Sequence, residues 1–218
     1  MAYRLSTLAD GRPVLLDEGL LEGDRARWWD LGRLSDGRLA DPLDALADAA
    51  GLDALTDAAG VPHGDPDGEV ALGDLGPSVP RPRKVFGIGM NFGAHVAEMG
   101  RSAPAIPVIF TKWPNCLTGP GSDIVLVGDR TDYEVELVAV IGRTCRDLDP
   151  SEVWDALAGV AVGQDVSDRA LQLASDPPQF SLGKSHDTFG PLGPVTSLDL
   201  VDDPGDLKLL CSVDGEMR

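Results

Sequence analysis

Residues 132–142 read DYEVELVAVIG, a short apolar run rich in β-branched side chains and closed by glycine. Such a run favours a strand. On a strand, Glu134 and Glu136 project from one face, separated by roughly 7 Å along it. The residues around them are apolar, so that face aims two acids toward a buried region. Buried carboxylates are costly unless paired or bound to a metal. Downstream, AGVAVGQDV (158–166) sets Asp165 at the end of a second apolar strand. Three carboxylates without cysteine or a neighbouring histidine favour a hard, oxygen-seeking cation: Mg²⁺, Mn²⁺ or Ca²⁺, and not Zn²⁺. A solvated strand face is the competing reading of the Glu-x-Glu pair.

Outward from this stretch, further short apolar segments predict strands: KVFGIGM (84–90), PVIFTKW (107–113), DIVLVG (123–128) and LKLLCSVDG (207–215). One helix is expected after Asp149, where an N-cap, Pro150 and an acid at Glu152 precede VWDAL. Helices do not alternate with the strands, so the segment predicts an α+β, mostly β domain with mixed sheets and not a doubly wound fold. Residues 1–75 have a different texture and predict a small N-terminal α/β domain. Strands are expected at Tyr3–Leu8 and Pro13–Asp17 across an Asp10-Gly11 turn. A helical pair is expected over 41–60, capped by Asp41, with Pro42 and Asp44 in its first turn and a break near Gly51. Residues 76–83 read as a proline-rich linker into a catalytic domain over 84–218. That domain ends on Asp214-Gly215, a hairpin turn signal with three residues after it. The expectation is an incomplete C-terminus, or a strand supplied from elsewhere.

The chain has 218 residues and a formal charge of −18. An acidic surface repels nucleic acid and anionic membranes. No apolar run reaches the roughly 20 residues of a membrane helix, and the first residues lack the apolar core of a signal peptide. Cys116, Cys145 and Cys211 are scattered, which suits a reduced, cytoplasmic setting.

In GMNFGAHVAEMG (89–100), His95 and Glu98 stand at i, i+3 on a short predicted helix and can touch. A carboxylate beside an imidazole fixes its tautomer and raises its basicity, as activation of water requires. The preceding GIGMNFG (87–93) is similar to a dinucleotide-binding loop, but the helix after it is too short for a βαβ crossover. Lys184 lies among small residues in SLGKSHDTFGPLGP (181–194). Arg169 and Gln172 follow Asp165 by four and seven residues, the repeat of a helix face, and suit recognition of a substrate carboxylate. His63 and His186 read as loop or surface residues.

Taken in order, VFGIGMNFGAHVAEMG, PVIFTKWPNCLTGPGSDIVL, DYEVELVAVIGR, AGVAVGQDVSDRALQ and LGKSHDTFGPLGP resemble the catalytic domain of the fumarylacetoacetate hydrolase family. The resemblance runs from Lys84 to Arg218, and residues 1–80 are similar to the variable N-terminal domain of longer bacterial members. It implies a mixed β-roll, often dimeric, with Glu134, Glu136 and Asp165 holding Mg²⁺ or Mn²⁺. It implies His95 and Glu98 as the dyad that activates water or moves protons, and Lys184 as the lysine near metal and substrate. Arg169, Gln172 and Lys112 match substrate-contacting positions, Lys112 at the end of an F-x-K stretch. Asp168, Ala170 and His186 depart from the usual pattern. Members also continue past the V-D-G-E stretch (213–216) into a T-G-T-P loop. The implied activity is metal-dependent C–C bond hydrolysis of a small 2-oxo or 1,3-dicarbonyl acid. An isomerase or decarboxylase of the same family, or an inactive truncated homologue, stands as the alternative.

Overall fold

The structure, a computed structural model, describes residues 1–18, 25–93, 100 and 104–218. Its strands in chain order are β1 Arg4–Leu8, β2 Pro13–Leu16, β3 Arg25–Asp30, β4 Gly68–Ala71, β5 Leu75–Gly76, β6 Val85–Gly89, β7 Val108–Lys112, β8 Leu117–Thr118, β9 Thr131–Asp132, β10 Val135–Ile141, β11 Leu157–Gln164, β12 Ser167–Asp168, β13 Gly190–Pro191, β14 Val195–Thr196, β15 Ser212–Val213 and β16 Glu216–Met217. The helices between them are short, so the fold is mostly β, as the strand-rich sequence predicts.

The main sheet has the order β10-β11-β14-β1-β2-β3-β4, with β5 also paired to β1. Strands from the two ends of the chain thus lie in one sheet: β1 pairs β2 on one side and β14 on the other, and β14 pairs β11. The pairing is antiparallel throughout this sheet, while β13 and β8 form a parallel pair beside it. Sequence alternation divides the core between the two faces. Along β2, Leu15 joins a cluster with Tyr3, Leu5, Leu31, Leu52, Val140, Ala161 and Val195. Val14 and Leu16 point the other way, into a cluster with Ala26, Val70 and Leu75. Each fully buried aliphatic side chain contributes about 1.5–3 kcal/mol relative to exposure. The Tyr3 hydroxyl donates to the Ala158 carbonyl, tying β1 to β11, and burial pushes its pKa up to about 12. In the segment read as a linker, Ser78 and Val79 are buried.

The Asp10-Gly11 turn forms, with Gly11 at φ 87°. Asp41 caps Pro42–Leu46 by accepting from Leu43 N at 2.8 Å. The helical pair does not break at Gly51, however. Asp48 caps a second helix, Ala49–Asp53, by accepting from the Gly51 amide, so the break falls three residues earlier and Gly51 lies inside the helix. A free aspartate side chain competes for the backbone and wins over a glycine's flexibility. After Asp149 the expected capping box is present, but it opens two 3₁₀ turns, Pro150–Glu152 and Trp154–Ala156, in place of one α-helix. Seven residues, Pro150 to Ala156, leave too little length for an amphipathic face to pack. Residues 123–128 form no strand despite their β-branched run, because among the described residues no strand pairs with them; Ile124, Val125, Leu126 and Val127 are exposed. The final expected strand shrinks to Ser212–Val213, paired with Glu216–Met217 across the predicted Asp214-Gly215 turn.

Candidate metal centre

Strands β10 and β11 pair antiparallel, with Val135 opposite Gln164 and Glu136 opposite Gly163. This register puts Glu134, just before β10, beside Asp165, just after β11. Their backbones are joined: Asp165 N donates to Glu134 O at 2.8 Å, and Glu134 N donates to the Gln164 side-chain oxygen at 3.1 Å. Glu136 lies two residues further in, on the same face. One carboxylate oxygen from each of Glu134, Glu136 and Asp165 falls within 4.8 Å of the others. Asp165 is buried and the two glutamates are partly buried.

Two lysines reach this cluster from other elements. Lys112 ends β7, and that end is fixed to the segment around 181–185: Thr111 N donates to Ser181 Oγ, and Trp113 N to Ser185 Oγ. Lys184 caps the helix Phe180–Gly183. That helix packs closely on the helix Arg169–Gln172, and Gly183 makes the approach possible. A Cβ there would sit 2.8 Å from Asp168 O and 2.9 Å from Gln172 N. Lys184 Nζ then donates to Glu134 Oε2 at 2.7 Å and Asp165 Oδ2 at 2.6 Å. Lys112 Nζ donates to Asp165 Oδ1 at 2.7 Å, to Phe189 O at 3.0 Å and to Lys184 O. An ammonium has three N–H donors. All three of Lys112's are taken within the protein, so this lysine holds Asp165 in place and has none left for a substrate.

Arg169 completes the arrangement. Its Nη1 lies 2.6 Å from Glu134 Oε1 and donates to Gln172 Oε1 at 2.9 Å, while Nε and Nη2 engage Asp132 Oδ2 at 2.9 and 2.8 Å. Arg169 and Gln172 share one helical turn, but the helix begins at Arg169 and not at Asp165, which precedes the short strand β12. The expected helical repeat from Asp165 is therefore absent, although the three residues do meet in space. Asp132 was not singled out by the sequence reading. It continues the alternation Asp132, Glu134, Glu136, which is the signal that could have found it. Asp168 caps the Arg169–Gln172 helix by accepting from the amides of Ala170 and Leu171. His186 stacks edge-on against Phe189, its Nε2 3.7 Å from Asp168 Oδ2, and His63 takes no part in the cluster. His95 and Glu98 lie outside the described residues.

The charges do not balance. Four carboxylates, those of Asp132, Glu134, Glu136 and Asp165, meet three cations, those of Lys112, Lys184 and Arg169. Glu136 is the acid left over: among the described residues it has no hydrogen bond or ion pair. Burial, reinforced by Asp165 and Glu134 and opposed by Lys184, pushes its carboxyl up to about 7. An unpaired, partly buried carboxylate facing two others supplies the donor set and the negative charge that a hard divalent cation requires. The residues present therefore fit such an ion.

Comparison with known proteins agrees with this geometry. The family model described as fumarylacetoacetate (FAA) hydrolase C-terminal matches residues 84–218. A Burkholderia ambifaria protein named "Putative hydrolase" is 44% identical over 144 residues, 65% of this chain and 51% of that protein. The chain thus spans about half the length of the curated relatives it matches. Among solved structures, a "putative HpcE protein" from Mycobacterium smegmatis is 39% identical with a TM-score of 0.83, covering 98% of this chain and 73% of that one. A 5-carboxymethyl-2-hydroxymuconate delta-isomerase from the same organism is 28% identical with a TM-score of 0.66, covering 100% and 74%. Among the described residues no helix is long and apolar enough to cross a membrane. With more than half its length matched by the family model and its strand ends converging on three carboxylates, the chain belongs to the fumarylacetoacetate hydrolase family.

Proposed function

We propose that this protein is a divalent-metal-dependent enzyme that hydrolyses a C–C bond in a small 2-oxo or 1,3-dicarbonyl acid, with Glu134, Glu136 and Asp165 as ligands of Mg²⁺ or Mn²⁺. The carrying observation is the convergence of three carboxylates from two strand ends, one of them without a cationic partner. When bound, such an ion would supply Lewis-acid polarisation of a substrate carbonyl.

The chain's own residues supply the rest. Lys112 fixes Asp165, and Arg169 fixes Glu134 through its grip on Asp132. Gln172, itself buried, has its carbonyl oxygen held by Arg169, which leaves its amide N–H groups to orient a substrate carboxylate. Lys184, whose ammonium lies on Glu134 and Asp165 in the metal-free protein, has N–H donors to offer to developing negative charge. His95, oriented by Glu98, acts as the base that takes a proton from water. The protein works as a homodimer in the cytoplasm.

The isomerase name among similar solved structures supports a second reading, in which the same residues move a proton within an oxo-acid without cleavage. A metal-supplemented screen of acylpyruvates, fumarylacetoacetate-like acids and their enol tautomers separates the two. Cleavage products give the hydrolase and an isomerised acid of unchanged mass gives the isomerase. Turnover that survives exhaustive EDTA treatment would sink both.

A further inference from the structure

Every oxygen of Glu134 and Asp165 is already engaged by a cation: Glu134 Oε1 by Arg169, Glu134 Oε2 and Asp165 Oδ2 by Lys184, and Asp165 Oδ1 by Lys112. Arg169 and Lys112 are each tied down elsewhere, Arg169 by Asp132 and Gln172, Lys112 by two carbonyls. They hold Glu134 Oε1 and Asp165 Oδ1 and are anchored there. Lys184 is different. It is the cation shared by both carboxylates, and among the described residues its ammonium has no acceptor besides them. Its Nζ lies 5.0 Å from the centroid of the Phe110 ring, which offers a favourable surface for the ammonium as it moves off the carboxylates. The side chain is 2% exposed, so water screens its charge little.

We propose that Lys184 is a built-in competitor of the divalent ion: its ammonium bridges two of the three metal ligands, and binding of the metal drives it off them toward Phe110. Lys184 therefore sets how tightly the site takes a metal, apart from any contact it makes with substrate. The inference rests on the metal reading above. Two positive charges cannot share these oxygens without strong repulsion in a buried site. Lysine thus lowers metal affinity, and in return the carboxylates keep a cationic partner whether or not the metal is bound.

The test is titration of Mn²⁺ into wild type and Lys184→Met by calorimetry, with no substrate present. The expected result is affinity raised by about tenfold or more in the variant, the scale on which loss of one nearby like charge acts. Binding in the variant but not in wild type supports the proposal as well. Equal or weaker affinity in the variant overturns it while leaving the metal reading intact. No binding by either protein overturns both. Wild type labelled with ¹⁵N-lysine provides a second measurement that does not depend on the variant folding. The slowly exchanging ammonium signal of Lys184 should shift and exchange faster on addition of Mg²⁺, and a signal unmoved at saturating Mg²⁺ overturns the proposal.

Discussion

The two ends of the main sheet are built from different materials. At the β1–β5 end the interior is aliphatic: Leu5, Val14, Leu15, Leu16, Leu31 and Leu52 are fully buried, and the charged residues stay outside in pairs such as Arg33–Asp67 and Arg27–Asp17. Among the described residues, Met1 is the sole large apolar side chain exposed before Phe86. At the β10–β11 end the aliphatic cluster continues through Val140, Ala158 and Ala161, but an ionic cluster is buried beside it and apolar side chains lie outside. Lys112, Asp165 and Lys184 are buried, whereas Phe86, Ile109, Trp113, Leu126 and Val162 face solvent. The first arrangement supplies stability, because aliphatic burial is favourable and non-directional. The second sacrifices stability for placement, because buried ion pairs roughly break even and hold only when every partner is present.

That contrast can be broken most severely at the acid left unpaired. Glu136→Gln keeps the shape of the side chain and removes its charge. It should abolish Mn²⁺ binding in calorimetry and reduce turnover by about 100-fold or more, the scale seen when one electrostatic stabiliser is lost. The thermal stability of the metal-free protein should hold or rise, since a buried unpaired acid is removed. A variant that binds Mn²⁺ like wild type would contradict the ligand assignment.

The next largest effect compares one residue from each end. Lys112→Met removes one of the two lysines on buried Asp165 and should cost about 3–5 kcal/mol in urea denaturation, together with loss of metal binding. Leu15→Ala should cost about 2–5 kcal/mol through the cavity it leaves, yet spare metal affinity in the molecules that remain folded. If both variants lost metal binding equally, the two ends would not be the separate devices described here.

The legibility of the sequence follows the same division. Aliphatic strands are local: a short apolar, β-branched run such as VELVAVI marks a strand without knowledge of the partner, and β1, β2, β6, β7, β10 and β11 fall where the sequence predicts them. Glu134, Glu136 and Asp165 were legible because they punctuate such strands. Lys112 was not legible as a support for Asp165, since 53 residues separate them and only the packing of β7 on the 181–185 segment brings them together. The run 123–128 misled for the opposite reason: its composition is that of a strand, but a strand also needs a neighbour, and composition does not carry that information. The break at Asp48 turned on which of two local signals, a capping side chain or a glycine, captured the backbone.

A smaller effect concerns protons. Glu136 is raised to about 7 in the folded protein from an ordinary value of 4.5. A carboxyl raised on folding holds its proton in the native state between those two values, so the native state binds more protons there than the unfolded chain. Stability of the metal-free protein from this group is thus fully present below the lower value and is lost as pH rises through about 7. The metal needs the ionised form, so its affinity should rise over the same window, with Mg²⁺ raising the melting temperature more at pH 8 than at pH 6. A flat metal response across that range would mean that Glu136 is not a ligand.

The smallest effect tests the quiet end of the molecule. Asp41 accepts from the Leu43 amide at 2.8 Å and receives Arg81 Nη2 at 3.1 Å on its other oxygen. The exposed ion pair contributes little, so the cap dominates. Asp41→Ala should lower stability by about 1 kcal/mol, and Asp41→Asn, which keeps the capping oxygen, should recover most of it. Neither change should alter Mn²⁺ affinity, because among the described residues the Asp41 side chain bonds only Leu43 and Arg81, and the helix it caps packs into the aliphatic cluster through Ala45 and Leu46. A change in metal affinity in either variant would show that strain at the aliphatic end reaches the ionic one through the shared sheet.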